Sequence, residues 1–188
     1  PVASGGATEE TAPDPVGEYA WSALGREHMF GYAAMTWGTA STILRLNYAC
    51  ELRYGVLVDL ARQVLEDRPI PIAMGYANVI WQGDANSVTF RCLEHCSNPP
   101  FILNLTGPET LSIRELAEEF GRRFGKQPVF EGTEAPNALL NNASKCHRLF
   151  GTPSVGVPQM IDWVSDWLQE GGALLNKPTH FQTRDGRF

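Results

Sequence analysis

The sequence predicts an α/β fold in which strands and helices alternate along the chain. Two strand-like runs, 40–49 and 100–107, are mostly apolar on both faces, as in a parallel sheet covered by helices. Stretches with helical spacing follow them, and no hairpin signal joins successive strands. With 188 residues, of which 43% are hydrophobic, the chain is long enough to bury a core.

The first part of the chain predicts a long helix, a strand and a second helix. Helical spacing runs over 18–35, where Gly25 and Gly31 each weaken the helix by about 1 kcal/mol but allow close approach of another backbone. The run 40–49 is expected to be a buried strand. The segment "GVLVDLARQVLEDRPI" is an amphipathic helix that Pro69 stops.

The rest of the chain predicts short strands, in "PIPIAM", "NVIWQ" and "PVFEG", with helices between them. Asp84 can cap a helix through 85–96. Ser112 and Glu115 form a capping box for a further helix, which Gly125 ends. Two more helices are expected in "NASKCHRLFG" and "PQMIDWVSDWLQEGG", whereas the polar tail "KPTHFQTRDGRF" predicts no element.

Composition narrows the choice of partners and compartment. A net charge of −6 argues against nucleic acid or an anionic membrane, since both require clustered Lys and Arg. The apolar runs are too short to span a membrane, and the first residues carry no signal-peptide pattern. The four cysteines are too few and too irregularly spaced for a disulfide scaffold, so we expect free thiols in the cytoplasm.

Three kinds of site are disfavoured by the motifs. No G-x-G-x-x-G turn occurs, so the chain itself offers no standard seat for a dinucleotide pyrophosphate. Ser22 lacks the strand and glycines of a hydrolase nucleophile. Cys92, His95 and Cys96 could bind zinc, but both thiols continue an apolar helical stripe. We therefore expect no metal site.

Five segments, taken in order, resemble a known family. They are "EETAPDPVGEYAWSALGREHMF", "TILRLNYACELRYG", "DRPIPIAMGYANVIWQGDANSVTFRCLEH", "PFILNLTGPETLSIRELAEEFGRRFGKQPVF" and "NASKCHRLFGTPSVGVPQMIDWVSDWL". Their order and spacing resemble the later part of an extended short-chain dehydrogenase/reductase. This is the NAD(P)-dependent epimerase/dehydratase family, which acts mainly on nucleotide sugars.

The resemblance implies two structural parts. Residues 1–67 would be the C-terminal remnant of the NAD(P)-binding Rossmann domain, contributing the last part of its parallel sheet. Residues 68–188 would form a small α/β substrate-binding lobe, with the two parts partly interleaved. The family's Gly-rich half and its catalytic Ser or Thr would lie before Pro1, so the chain is expected to be a C-terminal fragment or a truncated relative.

The same resemblance assigns candidate site residues. Tyr19 stands where the family has its catalytic tyrosine, and Asn47 and Tyr48 stand beside the nicotinamide. Ala23 replaces the family's lysine, which lowers the tyrosine pKa and holds the nicotinamide ribose. Arg26, one turn further, can supply a positive charge but no proton. A basic residue that steadies the diphosphate is absent from "YANVIWQGD", and no substrate-binding residue is assigned.

The implied function is an NAD(P)-dependent epimerase or dehydratase that acts on a sugar-type small molecule. NAD or NADP would be the cofactor of the complete fold. An exposed sheet edge and a family helix that packs in a dimeric bundle lead us to expect a homo-oligomer. Two alternatives stay open: a non-catalytic binding or regulatory module, and an interaction fragment that pairs through the exposed edge.

Overall fold

The computed structural model describes residues 1–186, and the last two residues of the predicted polar tail lie outside it. The helices are α1 (Gly17–Trp37), α2 (Val56–Leu65), α3 (Gln82–Arg91), α4 (Ile113–Phe124), α5 (Ser144–Phe150) and α6 (Val157–Gln169). The strands are β1 (Thr42–Leu46), β2 (Ala49–Cys50), β3 (Ile70–Pro71), β4 (Tyr76–Ala77), β5 (Ile80–Trp81), β6 (Phe101–Leu105), β7 (Leu111–Ser112) and β8 (Phe130–Glu131). The alternation confirms the α/β prediction.

The strands form four pairs, and the longest pair joins the two predicted apolar strands. β1 and β6 run parallel in a register from Thr42 opposite Phe101 to Leu46 opposite Leu105. β2–β5 and β3–β8 are also parallel, and β4–β7 is antiparallel. The expectation that β1 is buried on both faces is wrong, because four of its residues are half-buried and Leu46 is 52% exposed. Within residues 1–186, β6 is its only ladder partner.

Helix ends follow the sequence signals in α4 but not in α3. The Oγ of Ser112 accepts a hydrogen bond from the Glu115 N–H, and Gly125 takes a left-handed conformation with φ 65°. Asp84 does not cap α3, which begins at Gln82 and places Asp84 inside its first turn. The Asp84 carboxylate instead accepts hydrogen bonds from the loop before α6, where the donors are the N–H and Oγ of Ser154 and the N–H of Val155.

Two apolar clusters form the core. The larger one packs α2 against α4 and α6, with Leu57, Leu60, Phe120 and Met160 at its centre. The smaller one joins β6 to α3 and α5 through Leu103, Val88 and Cys146. The division into 1–67 and 68–188 stays a prediction. Since α2 packs on both α4 and α6, those two parts share the larger cluster.

Helix α1 lies largely outside both clusters. Ala34 is its one buried residue, and Met35 is 80% exposed near its C-terminal end. A bidentate ion pair between Arg45 and Glu27 ties the middle of α1 to β1. The Nδ2 of Asn98 donates to the carbonyl of Ala34. None of the helices in the described range combines the length and apolar character needed to cross a membrane.

Candidate functional site

The carboxyl ends of β1 and β6 lie side by side and define the candidate site. In parallel sheets, ligands bind beyond this edge of the strands. Asn47 directly follows β1, and its N–H donates to the carbonyl of Leu105 at 3.0 Å. Thr106 directly follows β6, is fully buried, and donates from Oγ1 to the carbonyl of Asn47 at 3.0 Å. The register of the two strands therefore fixes the backbone of Asn47.

The side chain of Asn47 belongs to a network of asparagines. Its Nδ2 donates to the carbonyl of Leu139 at 3.1 Å and lies 3.5 Å from Oδ1 of Asn78. Asn78 is buried, donates to the carbonyl of Glu109 and accepts from the N–H of Asn141. The network ties three loops to the end of β1. It orients Asn47, and sequence patterns gave no sign of it because its members are far apart in the chain.

Tyr48 is held in an uncommon backbone conformation. Its φ of 44° lies in the left-handed region, which costs free energy for a residue other than glycine and clusters at functional sites. The ring packs against the larger core cluster. Burial, and after it the neighbouring Tyr54, raises the pKa of the Tyr48 phenol to about 12. Tyr48 is therefore a neutral hydrogen-bonding group at neutral pH.

Tyr19 lies in the first turn of α1 and is 63% exposed. It interacts electrostatically with Tyr54, whose pKa is raised by burial first and then by Asp59, Tyr19 and Cys50. Tyr54 in turn raises the pKa of Tyr48, and we call Tyr19, Tyr48 and Tyr54 the tyrosine cluster. No sequence motif assigned a role to Tyr54. The one feature that pointed to it is its position before Gly55, at the start of α2.

The positions around Tyr19 set its chemistry. Ala23, one turn along α1, is half-buried and carries no charge. Arg26 is exposed on the same helix, and its role as a substitute for lysine stays a prediction. Asp59, at the start of α2, brings a carboxylate rather than an ammonium to the neighbourhood of Tyr54. The set contains no lysine.

A half-buried ion pair holds α1 against the sheet. Nε and Nη2 of Arg45 donate to the two carboxylate oxygens of Glu27 at 2.9 and 2.8 Å. Both side chains are about one-fifth exposed, at 21% and 22%. The hydrogen bond to Glu27 raises the pKa of Arg45, so the guanidinium stays charged. This pair sets the distance between α1, which carries Tyr19, and β1, which leads to Asn47.

Two cavities lie near this region without reaching the tyrosine cluster. One of about 280 Å³ lies beyond the end of β6, between Gly107, Glu109 and the start of α6. The other, about 600 Å³, is an apolar groove between α1 and the face of the β1–β6 pair. Neither is lined by Tyr19, Asn47 or Tyr48. The strand ends therefore define the candidate site better than cavity size does.

The sequence has no Gly-rich turn between a strand and a helix that would seat the pyrophosphate of a dinucleotide. The assignment of Asn47 and Tyr48 to the nicotinamide end stays a prediction. In the part of the chain that the structure describes, no group of three metal-binding side chains occurs. The ring of His95 instead packs against Phe101 and Phe150.

Comparisons with known proteins give a fold rather than a sequence match. No protein-family model matches this sequence, and no curated protein matches it. The fold matches that of solved NAD-dependent epimerases and dehydratases, and this chain covers only part of each of them. The chain thus shares its fold with part of these epimerases and dehydratases, as the sequence resemblance predicted.

Three solved structures show the likeness. UDP-glucose 4-epimerase from Thermotoga maritima, with UDP-glucose, has a TM-score of 0.73 at 16% identity over 88% of this chain and 57% of its own. UDP-glucuronic acid 4-epimerase from Bacillus cereus, in complex with NAD, has a TM-score of 0.74 at 22% identity, over 88% of this chain and 56% of its own. The dTDP-glucose 4,6-dehydratase from Streptomyces venezuelae, with NAD bound, has a TM-score of 0.71 at 17% identity, over 88% of this chain and 55% of its own. This chain therefore spans little more than half the length of these proteins.

Proposed function

We propose that this chain provides the substrate side and the acid–base tyrosine of an NAD(P)-dependent epimerase or dehydratase acting on a nucleotide sugar. One observation carries the proposal. Asn47 and Tyr48 directly follow β1 at the carboxyl edge of a parallel strand pair, where hydrogen bonds from Asn47 to Leu105 and from Thr106 to Asn47 fix the backbone. The fold neighbours support it, since proteins with this fold are named as epimerases and a dehydratase of nucleotide sugars.

Each residue has a proposed role. Tyr19 exchanges a proton with the sugar hydroxyl that is oxidised, and Asn47 and Tyr48 line the boundary between sugar and nicotinamide. A bound nicotinamide supplies hydride acceptance and return. Tyr48, neutral at physiological pH, donates or accepts a hydrogen bond without changing charge. The pyrophosphate is bound by residues other than these 188, because the chain has no Gly-rich turn.

Titration calorimetry tests the proposal directly. We expect UDP-glucose or dTDP-glucose to bind the chain, and NAD⁺ and NADP⁺ to show no binding at millimolar concentration. An Asn47→Ala variant should weaken sugar-nucleotide binding, because it removes the amide that the asparagine network orients. Arg68→Gln, an exposed surface change in this chain, is the control. Absence of sugar-nucleotide binding in the parent chain would refute the proposed substrate class.

A second candidate is a non-catalytic binding module with the same fold. The observation that favours it is Ala23, which leaves Tyr19 without the ammonium that activates it in the family. The discriminating experiment is an Ala23→Lys variant, assayed by nicotinamide absorbance in a chain that includes a cofactor-binding half. Activity that appears only with the lysine identifies a module that has lost catalysis. Equal activity without it identifies a working enzyme.

Homo-oligomerisation and a cytoplasmic location complete the proposal. The exposed apolar side chains of α1 and the unpaired edge of β1 favour self-association. All four cysteines are free thiols, and three of them are buried, which suits a reducing compartment.

A further inference from the structure

The segment that follows α6 returns across the molecule, and we call residues 174–186 the C-terminal strap. Its first contact is with the turn before Tyr54, where the N–H of Leu175 donates to the carbonyl of Arg53 at 3.1 Å. Its second contact is with the first turn of α2. Both the N–H and the Oγ1 of Thr179 donate to Oδ2 of Asp59 at 2.7 Å. The strap therefore contacts the chain both before and after Tyr54, at Arg53 and at Asp59.

One apolar side chain roots the strap in the core. Phe181 is 2% exposed and belongs to the larger core cluster, against which Tyr48 also packs. The backbone bends on either side of Thr179, since Asn176 and His180 have φ values of 51° and 54°. Residues other than glycine seldom adopt this conformation, so the surrounding contacts must hold the bends in place.

Beyond Phe181 the strap is held by polar contacts. Nη1 of Arg184 donates to the carbonyls of Ala73 and Asn137 at 3.2 and 3.0 Å, and Nη2 contacts Oδ1 of Asn137. Arg184 itself is exposed. Hydrogen bonds at an exposed site exchange with water at small net cost, so this part of the strap can detach while Phe181 stays buried.

The strap ends against the start of α1. Gly17 has a φ of 81°, and a Cβ there would collide with the carbonyl of Gly186. A Cβ at Gly186 would collide in turn with the carbonyl of Val16. Two backbones can approach this closely only because both residues are glycines. The contact lies two residues before Tyr19.

We propose that the C-terminal strap is a gate over the tyrosine cluster. In the closed position it runs from the Tyr54 side of the cluster to the Tyr19 side and fixes the start of α1. It opens when Thr179 leaves Asp59 and Arg184 leaves Asn137, while Phe181 stays packed in the core. Opening gives a ligand access to Tyr54 and frees α1 to adjust its position relative to β1.

The identity of the ligand rests on the proposed function, but the gate can be tested without it. The release variant combines Thr179→Val with Arg184→Gln, which keeps Phe181 and the core intact. Gly17→Ala is an independent second variant, because its methyl group pushes the strap off α1. Arg68→Gln, which changes an exposed ion pair on another surface, is the matched control.

Two readouts decide the proposal. Hydrogen exchange of the amides at 20–24 should accelerate by about tenfold in the release variant, as expected when bonds to a charged acceptor are lost from an opening equilibrium. Hydroxyl-radical labelling of Tyr54, read by mass spectrometry, should rise several-fold. Both changes should also appear in Gly17→Ala and be absent from the control.

The outcomes separate the gate from the proposed function. If labelling of Tyr54 in both variants equals that of the parent, the strap does not cover the cluster and the gate is refuted. If labelling rises but exchange at 20–24 is unchanged, the strap does not fix α1 and the proposal fails in that form. Calorimetry with UDP-glucose on the same proteins reports on the substrate class alone, whatever the strap does.

Discussion

Tyr48 is the residue at which backbone and side-chain constraints meet. Its positive φ turns the chain sharply after β1 and places the phenol against the core. The same burial raises the phenol's pKa. A residue type chosen only for packing would favour a side chain without a hydroxyl here, because burying a polar group costs free energy. The binding role that the family resemblance assigns to Tyr48 stays a prediction.

The raised pKa of Tyr48 predicts a loss of stability at alkaline pH. The folded pKa of about 12 lies above the ordinary value of 10, so the stabilisation is fully present below pH 10 and is lost as pH rises towards 12. Between pH 10 and 12 the free energy of unfolding of the parent should fall by about 2 kcal/mol more than that of a Tyr48→Phe variant, which has no phenol to ionise. Urea unfolding at a series of pH values measures the difference.

The comparison with Tyr48→Phe is needed because buried thiols titrate in the same range. Burial raises the pKa of Cys50 and of Cys146 to about 11, and both remain in the variant. Tyr32→Phe, the same substitution at a residue of α1 that is 50% exposed, is the control. Identical curves for the parent and Tyr48→Phe would contradict the assigned burial effect.

Among the elements, α1 depends most on a few specific contacts. Its sequence spacing is helical, but Ala34 is its one buried residue. Polar anchors therefore set its position: Glu27 with Arg45, Ala34 with Asn98, and Gly17 with the C-terminal strap. A helix held in this way can shift without breaking a core. That property suits an element that carries the proposed acid–base residue.

Neutralising the anchor on α1 should destabilise the fold measurably. Glu27→Gln keeps the shape of the side chain but leaves the half-buried Arg45 without its counter-charge, at a cost of about 2 kcal/mol. Chemical denaturation reports this loss, and hydrogen exchange should show that it is concentrated in α1. Glu66→Gln removes two more exposed ion pairs at the end of α2, with Arg62 and Arg68, and should change stability by less than about 0.5 kcal/mol. A similar effect from both variants would show that the Glu27 pair has no special role.

At the scale of the whole molecule, two surfaces lack a partner within residues 1–186. The N–H of Phe101 bonds to Ser41 and that of Asn47 to Leu105, so alternate residues of β1 face β6. The backbone groups of Thr42, Leu44 and Leu46 therefore face the open edge. Beside it, α1 exposes large apolar side chains, including Trp21, Met29, Met35 and Trp37. Open edges and apolar patches both promote association.

We expect the chain to self-associate, and two variants identify the surface responsible. Met35→Lys places a charge on the exposed face of α1, and Leu46→Lys places one at the open edge. Sedimentation equilibrium over a range of protein concentrations should show an associating parent and a weaker association in at least one variant. A parent that stays monomeric throughout would refute the oligomer prediction, and equal association in both variants would place the contact elsewhere.

The sequence alone predicted the α/β class, most of the helices and strands, the capping of α4 and the family resemblance. These features depend on local spacing and on motif order, which a single chain displays. It could not predict that Asp84 would bind the loop before α6, that β1 would be only half-buried, or that Tyr54 would join the tyrosine cluster. Nor did the polar tail indicate a strap.

Those features were decided by the tertiary structure, because each depends on groups far apart in the chain. Asp84 reaches donors 70 residues away, and Thr179 reaches Asp59 across 120 residues. Local propensity carries no information about such partners. The sequence by itself therefore determined most of the helices and strands and which residues carry groups suited to binding or catalysis. Packing decided which of those residues meet, because burial and hydrogen bonding between distant segments exist only in the folded chain.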